Sequence, residues 1–570
     1  MTEGKRNYHD GGEAILEAFR RLGIDYIMSS PGSEMSPIWE ALGRQDETRT
    51  AGPKLIDCWH ELVAVDLALG YTAYTGRIQA VLLHAGVGIL QGSMAMLSAT
   101  ASETPMIVLS GESVGLGEEP DFVMEPQWYG GVSVGGADRF AAPVVKRTIN
   151  VVHPDTLFEN VIRAGELALR EQKGPVYVGV SLEVLLHEWR RPQALRAIPP
   201  APKLRPLASD IEGVAAQIAA ARNPVIVAET AGRDPAAFAA LVELADTLAL
   251  PVFGARSAVT YTSFPSGHPL WQGFHNHEQL ADADLILLVG GRLPWYPPSK
   301  RPGCGQIVSI SDNPIKRHLV YQTLLADSYL EGDLAIVLGE LAVAARPDRA
   351  AAAVVAERRM RWAKTHAATV ARLAGEAAKA RAMPGIGSVA LASVAAEALP
   401  ADTIYVDETI SHMGAMRPHL PLDQPQSFFR VTGGGLGQGI AISLGIKLAA
   451  KDRPVVLFVG DGSLLYNPIV QALGASKTYA LPIIIVVCNN GKYETMRAGH
   501  VKYYPGGVAD TSKKHYGVDI DGPEYHDLGA HFGFHRVKVD NVAELPKAFA
   551  DALAANKAGR TSIINVVMTR

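Results

Sequence analysis

Two apolar runs of the chain end abruptly in small, oxygen-bearing residues. "PVVLFVGDGS" closes on Gly460-Asp461-Gly462-Ser463, and about thirty residues on "PIIIVVCNN" closes on Asn489-Asn490. In an open parallel sheet, ligands bind beyond the carboxyl ends of the strands. Gly460 and Gly462 let backbone amides approach an anion closely, and Ser463 opens a helix whose N-terminus favours phosphate. Asp461 and Asn490 supply hard oxygens, which with a carbonyl and phosphate oxygens suit octahedral Mg²⁺. The rival reading is two ordinary strand-end turns with Asp461 as a cap; the amide pair at the second strand end favours the clamp. Other residues invite proton chemistry. His84 ends the run "AVLLH", Ser33 sits in "SSPGSEM", and Glu494 lies just past the amides. An imidazole can shuttle protons near neutral pH. The competing roles are a strand-end histidine bonded to backbone, a turn serine and a helix-start acid. His60-Glu61 suggests a zinc HExxH helix, but position 64 is Ala and the motif fails.

These residues need strands and helices to hold them. Strand-like runs alternate with helix-length segments throughout, as at 25–28, 80–83, 106–109, 176–180, 224–228, 285–289, 307–310, 455–459 and 483–487. The alternation predicts an α/β chain of three doubly wound parallel-sheet domains, 1–190, 191–345 and 365–570. The linkers are a Pro-rich stretch at 190–206 and an Ala/Arg-rich, solvated helix from about 344 to 382. His84 and Asp461 each lie 21 positions before a proline (Pro105, Pro482) that opens the next strand. That match suggests repeated modules, though any βαβ unit with a short helix gives it equally. "GGGLGQG" (433–439) lacks the register and the later acidic strand end of a dinucleotide site.

Bulk properties exclude several classes. Over 570 residues the net charge is −5 with both signs mixed, so neither a nucleic-acid partner nor a membrane surface is expected. Cys58, Cys304 and Cys488 are far apart, which implies neither a disulfide framework nor structural zinc. There is no apolar h-region at the start and no membrane-length apolar run, and a cytoplasmic protein is the expectation.

The Gly-Asp-Gly…Asn-Asn stretch resembles the signature of thiamine diphosphate-dependent enzymes, and the resemblance runs over essentially the whole chain. It implies pyrimidine-binding, middle and diphosphate-binding domains, with thiamine diphosphate and Mg²⁺ as cofactors. The metal ligands would be Asp461, Asn490 and the carbonyl of Lys492. "CWHELVAVDLALGYTAYTGR" (58–77) resembles the segment whose glutamate, here Glu61, bonds the aminopyrimidine and favours the tautomer that takes the thiazolium C2 proton. Ser411, Gly462, Ser463 and Tyr493 would face the diphosphate. Leu436 would wedge between the cofactor rings, and the Gly434 carbonyl would accept from the aminopyrimidine. Glu61 and the metal set would come from different subunits of a homodimer or homotetramer.

Within the family, "SSPGSEM", "LLHAGVGILQG" and "VDETISHMGAM" resemble the benzoylformate decarboxylase branch. Ser33 would bind a substrate carboxylate and His84 would move protons, while Gln91, Thr495 and Met496 would line the pocket. Two departures stand out. Trp295-Tyr296-Pro297-Pro298 carries no histidine where that branch has a second one, and Glu494 follows Tyr493 where a glycine is usual. Glu494 is thus a candidate relay for a substrate hydroxyl. The implied function makes or breaks a C–C bond beside a carbonyl of a small 2-oxo acid, aldehyde or ketone, as a decarboxylase or carboligase. The alternatives are an acetolactate synthase-like carboligase and a 2-hydroxyacyl-CoA lyase-like enzyme. Glu408-Thr409-Ile410-Ser411 weighs against the last. Whether the middle domain holds a flavin or a CoA moiety stays open.

Overall fold

Among the described residues of the computed structural model, eighteen strands fall into three six-stranded sheets. The structure describes residues 9–112, 136–195, 197–255, 261–274, 277–291, 295, 302, 305–316, 326–346 and 351–569. Tyr296–Pro298 and Cys304 lie outside them.

The first sheet holds β1 (Tyr26–Ser29), β2 (Lys54–Asp57), β3 (Gln79–Leu83), β4 (Met106–Glu112), β5 (Arg147–Val151) and β6 (Pro175–Ser181), in the order β2-β1-β3-β4-β6-β5. The second holds β7 (Pro224–Ala228), β8 (Val252–Gly254), β9 (Trp271–Phe274), β10 (Leu285–Val289), β11 (Gln306–Ser311) and β12 (Ser328–Glu331), in the order β12-β11-β10-β7-β8-β9. The third holds β13 (Ile404–Glu408), β14 (Phe428–Arg430), β15 (Val455–Gly460), β16 (Ile484–Asn489), β17 (His535–Val539) and β18 (Ser562–Val567), in the order β14-β13-β15-β16-β18-β17. Neighbouring strands pair in parallel, as in Val459↔Val487 and Leu82↔Leu109. The first and third sheets therefore share one strand order, and β3 and β15 occupy the same place in it. The second has the other doubly wound order, in which the reversal falls between β7 and β10.

Central strands such as β3 and β7 are buried along their whole length, as parallel strands covered on both faces must be. Among the described residues from 191 to 207 the expected Pro-rich linker has neither helix nor strand, and the solvated helix is Ala351–Ala382. No helix among the described residues is long and apolar enough to cross a membrane.

By contacts the chain divides into two compact units that do not follow chain order. One comprises Met1–Pro202, Thr432–Ala450 and Pro468–Tyr479; the other comprises Lys203–Val431, Lys451–Asn467 and Ala480–Arg570. The reason lies in two helices of the first unit. Glu61–Thr75 is buried from Leu62 to Ala73, and Gly439–Ala449 is buried from Gly439 to Leu448. A helix that is apolar all round needs partners on every side. Here the backbones touch: a Cβ on Gly70 would stand 2.1 Å from the Ile442 carbonyl oxygen, and one on Gly445 2.1 Å from that of Leu67.

Candidate active site

In the first unit, the ends of β1, β2 and β3 carry the candidate acid–base groups. His84 follows β3, and its Nδ1 lies 2.9 Å from both carboxylate oxygens of Glu34. Glu34 is fully buried and also accepts from the Ala85 N–H at 2.7 Å. Glycines make room for it: a Cβ on Gly111 would sit 2.0 Å from Glu34 Cγ, and one on Gly32 2.6 Å from His84 Nδ1. With Nδ1 facing a carboxylate, the ring proton belongs there and Nε2 becomes the basic nitrogen. The His84 pKa is raised, first by the Glu34 hydrogen bond and then by the charges of Glu34 and Glu61, against burial, which lowers it.

Glu61 opens its helix behind His60, whose Nδ1 accepts from Leu62 N–H at 3.1 Å. It shares the neighbourhood of His84 across the next helix, Val87–Ala101. A Cβ on Gly88 would meet His84 Cβ at 3.1 Å and Glu61 Oε1 at 3.4 Å. Gln91, on that helix, lies 2.9 Å from His60 Nε2. Ser33 is exposed, and its carbonyl accepts from Ser36 Oγ at 2.7 Å.

The segment 432–437 also belongs to this unit. Ser98 and Thr432 exchange two hydrogen bonds, at 2.8 and 3.1 Å. Gly433 and Gly435 press on Ser98 and Met94 too closely for a side chain. Gly434 has φ +76° with open space beside it, and Leu436 is half-buried.

In the second unit, β15 and β16 bring the two strand ends together. Asp461 is buried; Oδ1 accepts from Gly462 N–H at 2.8 Å and Oδ2 from Gly491 N–H at 2.7 Å. Asn490 Oδ1 accepts from Lys492 N–H at 3.1 Å. Val518 and Ile520 tie down the loop, through Tyr493 N–H to the Val518 carbonyl at 2.7 Å and Ile520 N–H to that of Gly491 at 3.0 Å. Gly462 accommodates the Tyr493 ring, which a Cβ would strike at 2.2 Å. The Asp461 pKa is raised by burial, against the backbone donors that lower it. A buried carboxylate without a countercharge is costly. The site therefore fits a cation, with a carboxylate, an amide oxygen and the Lys492 carbonyl as hard donors. No cluster of three or more His, Cys, Asp or Glu side chains suited to a metal occurs among the described residues.

The predicted helix after Ser463 is broken in two, Asp461–Tyr466 and Ile469–Thr478, at Asn467-Pro468. Asn467 Nδ2 bonds both the Ser463 carbonyl and Glu408 Oε2 at 3.1 Å. Ser411 is exposed, as are Thr495 and Met496. Glu494 starts the helix Glu494–Tyr503 and is paired with Arg497 and, at 3.6 Å, with Lys492 Nζ. The Arg497 hydrogen bond first, then the charges of Arg497 and Lys492, hold its carboxyl below the usual range.

Glu34 is the functional candidate that sequence reasoning missed. Its signal was the glycine before Ser33 and an acid one residue past it, in a loop that must turn back over β3.

This fold and these two residue sets define a cofactor-dependent α/β enzyme. Residues 9–116, 211–341 and 410–566 match the N-terminal TPP binding, central and C-terminal TPP binding domains of thiamine pyrophosphate enzymes, and the chain belongs to that family. It is 26% identical over 567 residues to benzoylformate decarboxylase of Pseudomonas aeruginosa, covering 95% of this chain and 96% of the relative. It is 23% identical over 575 residues to the acetolactate synthase large subunit of Haemophilus influenzae, covering 95% and 92%. The solved 4-hydroxybenzoylformate decarboxylase of Rhodococcus jostii RHA1 shares the fold, with a TM-score of 0.80 at 24% identity over 98% of this chain and 99% of that one.

Proposed function

We propose that this thiamine diphosphate-dependent enzyme decarboxylates a small 2-oxo acid, or ligates the product to a second carbonyl, in the manner of benzoylformate decarboxylase. The observation that carries the reading is His84 at the end of β3, its Nδ1 held by buried Glu34 and its flank shared with Glu61. Thiamine diphosphate, when bound, supplies the electron sink that makes cleavage beside a carbonyl feasible.

Asp461, Asn490 and the Lys492 carbonyl would hold Mg²⁺ against the diphosphate. Ser411, Gly462, Ser463 and Tyr493 would line its berth, and Gly434 and Leu436 would orient the rings. Glu61 would hold a proton against the aminopyrimidine, contributed to a site completed by a second copy of the chain. His84 Nε2 would take or give the proton at the reacting carbon or carbonyl oxygen. Ser33 and Gln91 would face the substrate, as would Thr495 and Met496. Glu494, ion-paired and ionised, would act on substrate by charge or as an acceptor rather than as an acid.

The test incubates protein, thiamine diphosphate and Mg²⁺ with a panel of 2-oxo acids, with and without aldehydes, and measures CO₂ and coupled products together. CO₂ release with aldehyde product from an aryl or branched 2-oxo acid is expected. No CO₂ from any 2-oxo acid would overturn the reading.

A further inference from the structure

A cavity of about 820 Å³ lies in the second unit, lined by β9, the helix Ala351–Ala382 and the segment around Met413–Phe428. Its volume is within the roughly 300–1,000 Å³ usual for small-molecule sites. It shares no residue with the Asp461–Asn490 clamp. It also follows the edge strand β9 rather than the β7/β10 reversal where this fold opens its carboxyl-end crevice.

Its charge balance is uneven. Among the acids of the wall, Glu397 is held by both terminal nitrogens of Arg381, at 2.9 and 2.6 Å, and Asp423 accepts from Ser266 Oγ and Gly267 N–H. Buried Asp407, close behind, pairs with Arg430 at 3.3 Å. Arg417 is left with no carboxylate within ion-pair distance among the described residues. Its guanidinium lies between the rings of Phe274 and Phe428, at 4.2 and 4.5 Å from their centroids. One terminal nitrogen reaches the Tyr261 carbonyl at 3.3 Å, and Nε is buried without a hydrogen-bond partner among the described residues. Arg430 takes Asp407 and Arg417 is left without a paired acid among the described residues, beside a wall of aromatic and aliphatic side chains. Burying such a cation is costly unless an anion completes it.

We infer that this cavity is a second ligand site, for an amphiphilic anion whose carboxylate or phosphate head sits on Arg417 and whose flat apolar body lies along Phe428 and Leu373. Fixed between two rings, the guanidinium loses little freedom on binding, which suits planar recognition of either head group.

The experiment titrates the Mg²⁺- and thiamine diphosphate-saturated enzyme with 1-naphthoate and, separately, adenosine 5′-monophosphate, by calorimetry. Wild type is expected to bind one of them once per chain, and the responding arm tells a carboxylate from a phosphate source. Arg417→Met should weaken that binding at least tenfold. Ala377→Trp, on the largely exposed helix, fills the cavity while Arg417 itself is kept and should do the same while turnover is retained. Unchanged affinity in Ala377→Trp, or no binding of either probe to wild type, would overturn the proposal.

Discussion

The first and third sheets share a strand order but arm it differently. In both, a buried glutamate at or just past the end of the first strand meets the chain beyond the third: Glu34 faces His84 and accepts from Ala85, and Glu408, the last residue of β13, accepts from Asn467. In the first sheet the result is a carboxylate–imidazole pair with Glu61 alongside. In the third, Glu408 holds Asn467 at the break between two helices, and the strand ends carry the oxygen set of Asp461, Asn490 and the Lys492 carbonyl. One scaffold therefore carries an imidazole with carboxylates at one copy of the strand ends and a carboxylate with amides at the other, which we read as proton-transfer and cation-binding sets. The difference rests on which residue follows the third strand, an imidazole or a carboxylate.

That division can be broken on either side. Glu61→Gln should lower kcat by roughly 10²–10⁴-fold, the span of general acid–base catalysis, while thiamine diphosphate still co-elutes with the protein; undiminished turnover would remove Glu61 from the proton chemistry. Asp461→Ala should do the reverse. Mg²⁺-dependent retention of the cofactor on a desalting column should weaken by at least the roughly 10–100-fold that even outer partners of metal ligands carry. Equal retention would sink the cation assignment.

Glu34→Gln sharpens the first side. A folded-state pKa raised by Glu34 means that the pair stabilises the protein fully below the imidazole's ordinary value of about 6.5 and loses that contribution as pH rises through the folded value. In the variant the His84 limb of the pH–rate profile should move to lower pH, with kcat down about tenfold, and the fall in thermal stability across that window should flatten. A limb that stays in place would assign it to another group. Gly445→Ala touches neither set. It should cost roughly 1–3 kcal/mol in a denaturant melt, as overpacking does, and leave both the pH profile and cofactor retention alone.

The strands read from the sequence are all interior ones, though the interior strands β8, β13 and β18 went unread as well. The nine runs read from it are β1, β3, β4, β6, β7, β10, β11, β15 and β16, each displaced by at most a few residues. The edge strands were not read: β2 is Lys-Leu-Ile-Asp, β5 Arg-Thr-Ile-Asn-Val and β17 His-Arg-Val-Lys-Val. Half-solvated strands carry polar residues that look like loop. The meeting of Asp461 with the Asn490 turn was legible because both sit at strand ends that hydrophobic runs mark. Glu34 was not, because its partner is 50 positions away and a one-residue choice between Ser33 and Glu34 depends on which way a short 3₁₀ turn faces. The pairing of Glu494 with Arg497 needed only helical spacing and could have been read. The division into units could not, since it depends on Gly70 and Gly445 allowing two backbones to meet.

That meeting has a consequence for how the chain is made. Synthesis proceeds from the N-terminus, and domains generally fold as units in that order. A ribosome that has translated residue 431 has delivered every strand of the first sheet, yet neither Gly439–Ala449 nor Ile469–Thr478, which belong to the same unit. Until they arrive, the apolar flank of Glu61–Thr75 that Ile442 and Gly445 cover stays bare. The nascent N-terminal region is thus expected to engage chaperones until residue 450 is made, and a chain truncated before it is expected to sediment as aggregate when expressed, whereas a soluble, folded fragment would refute this.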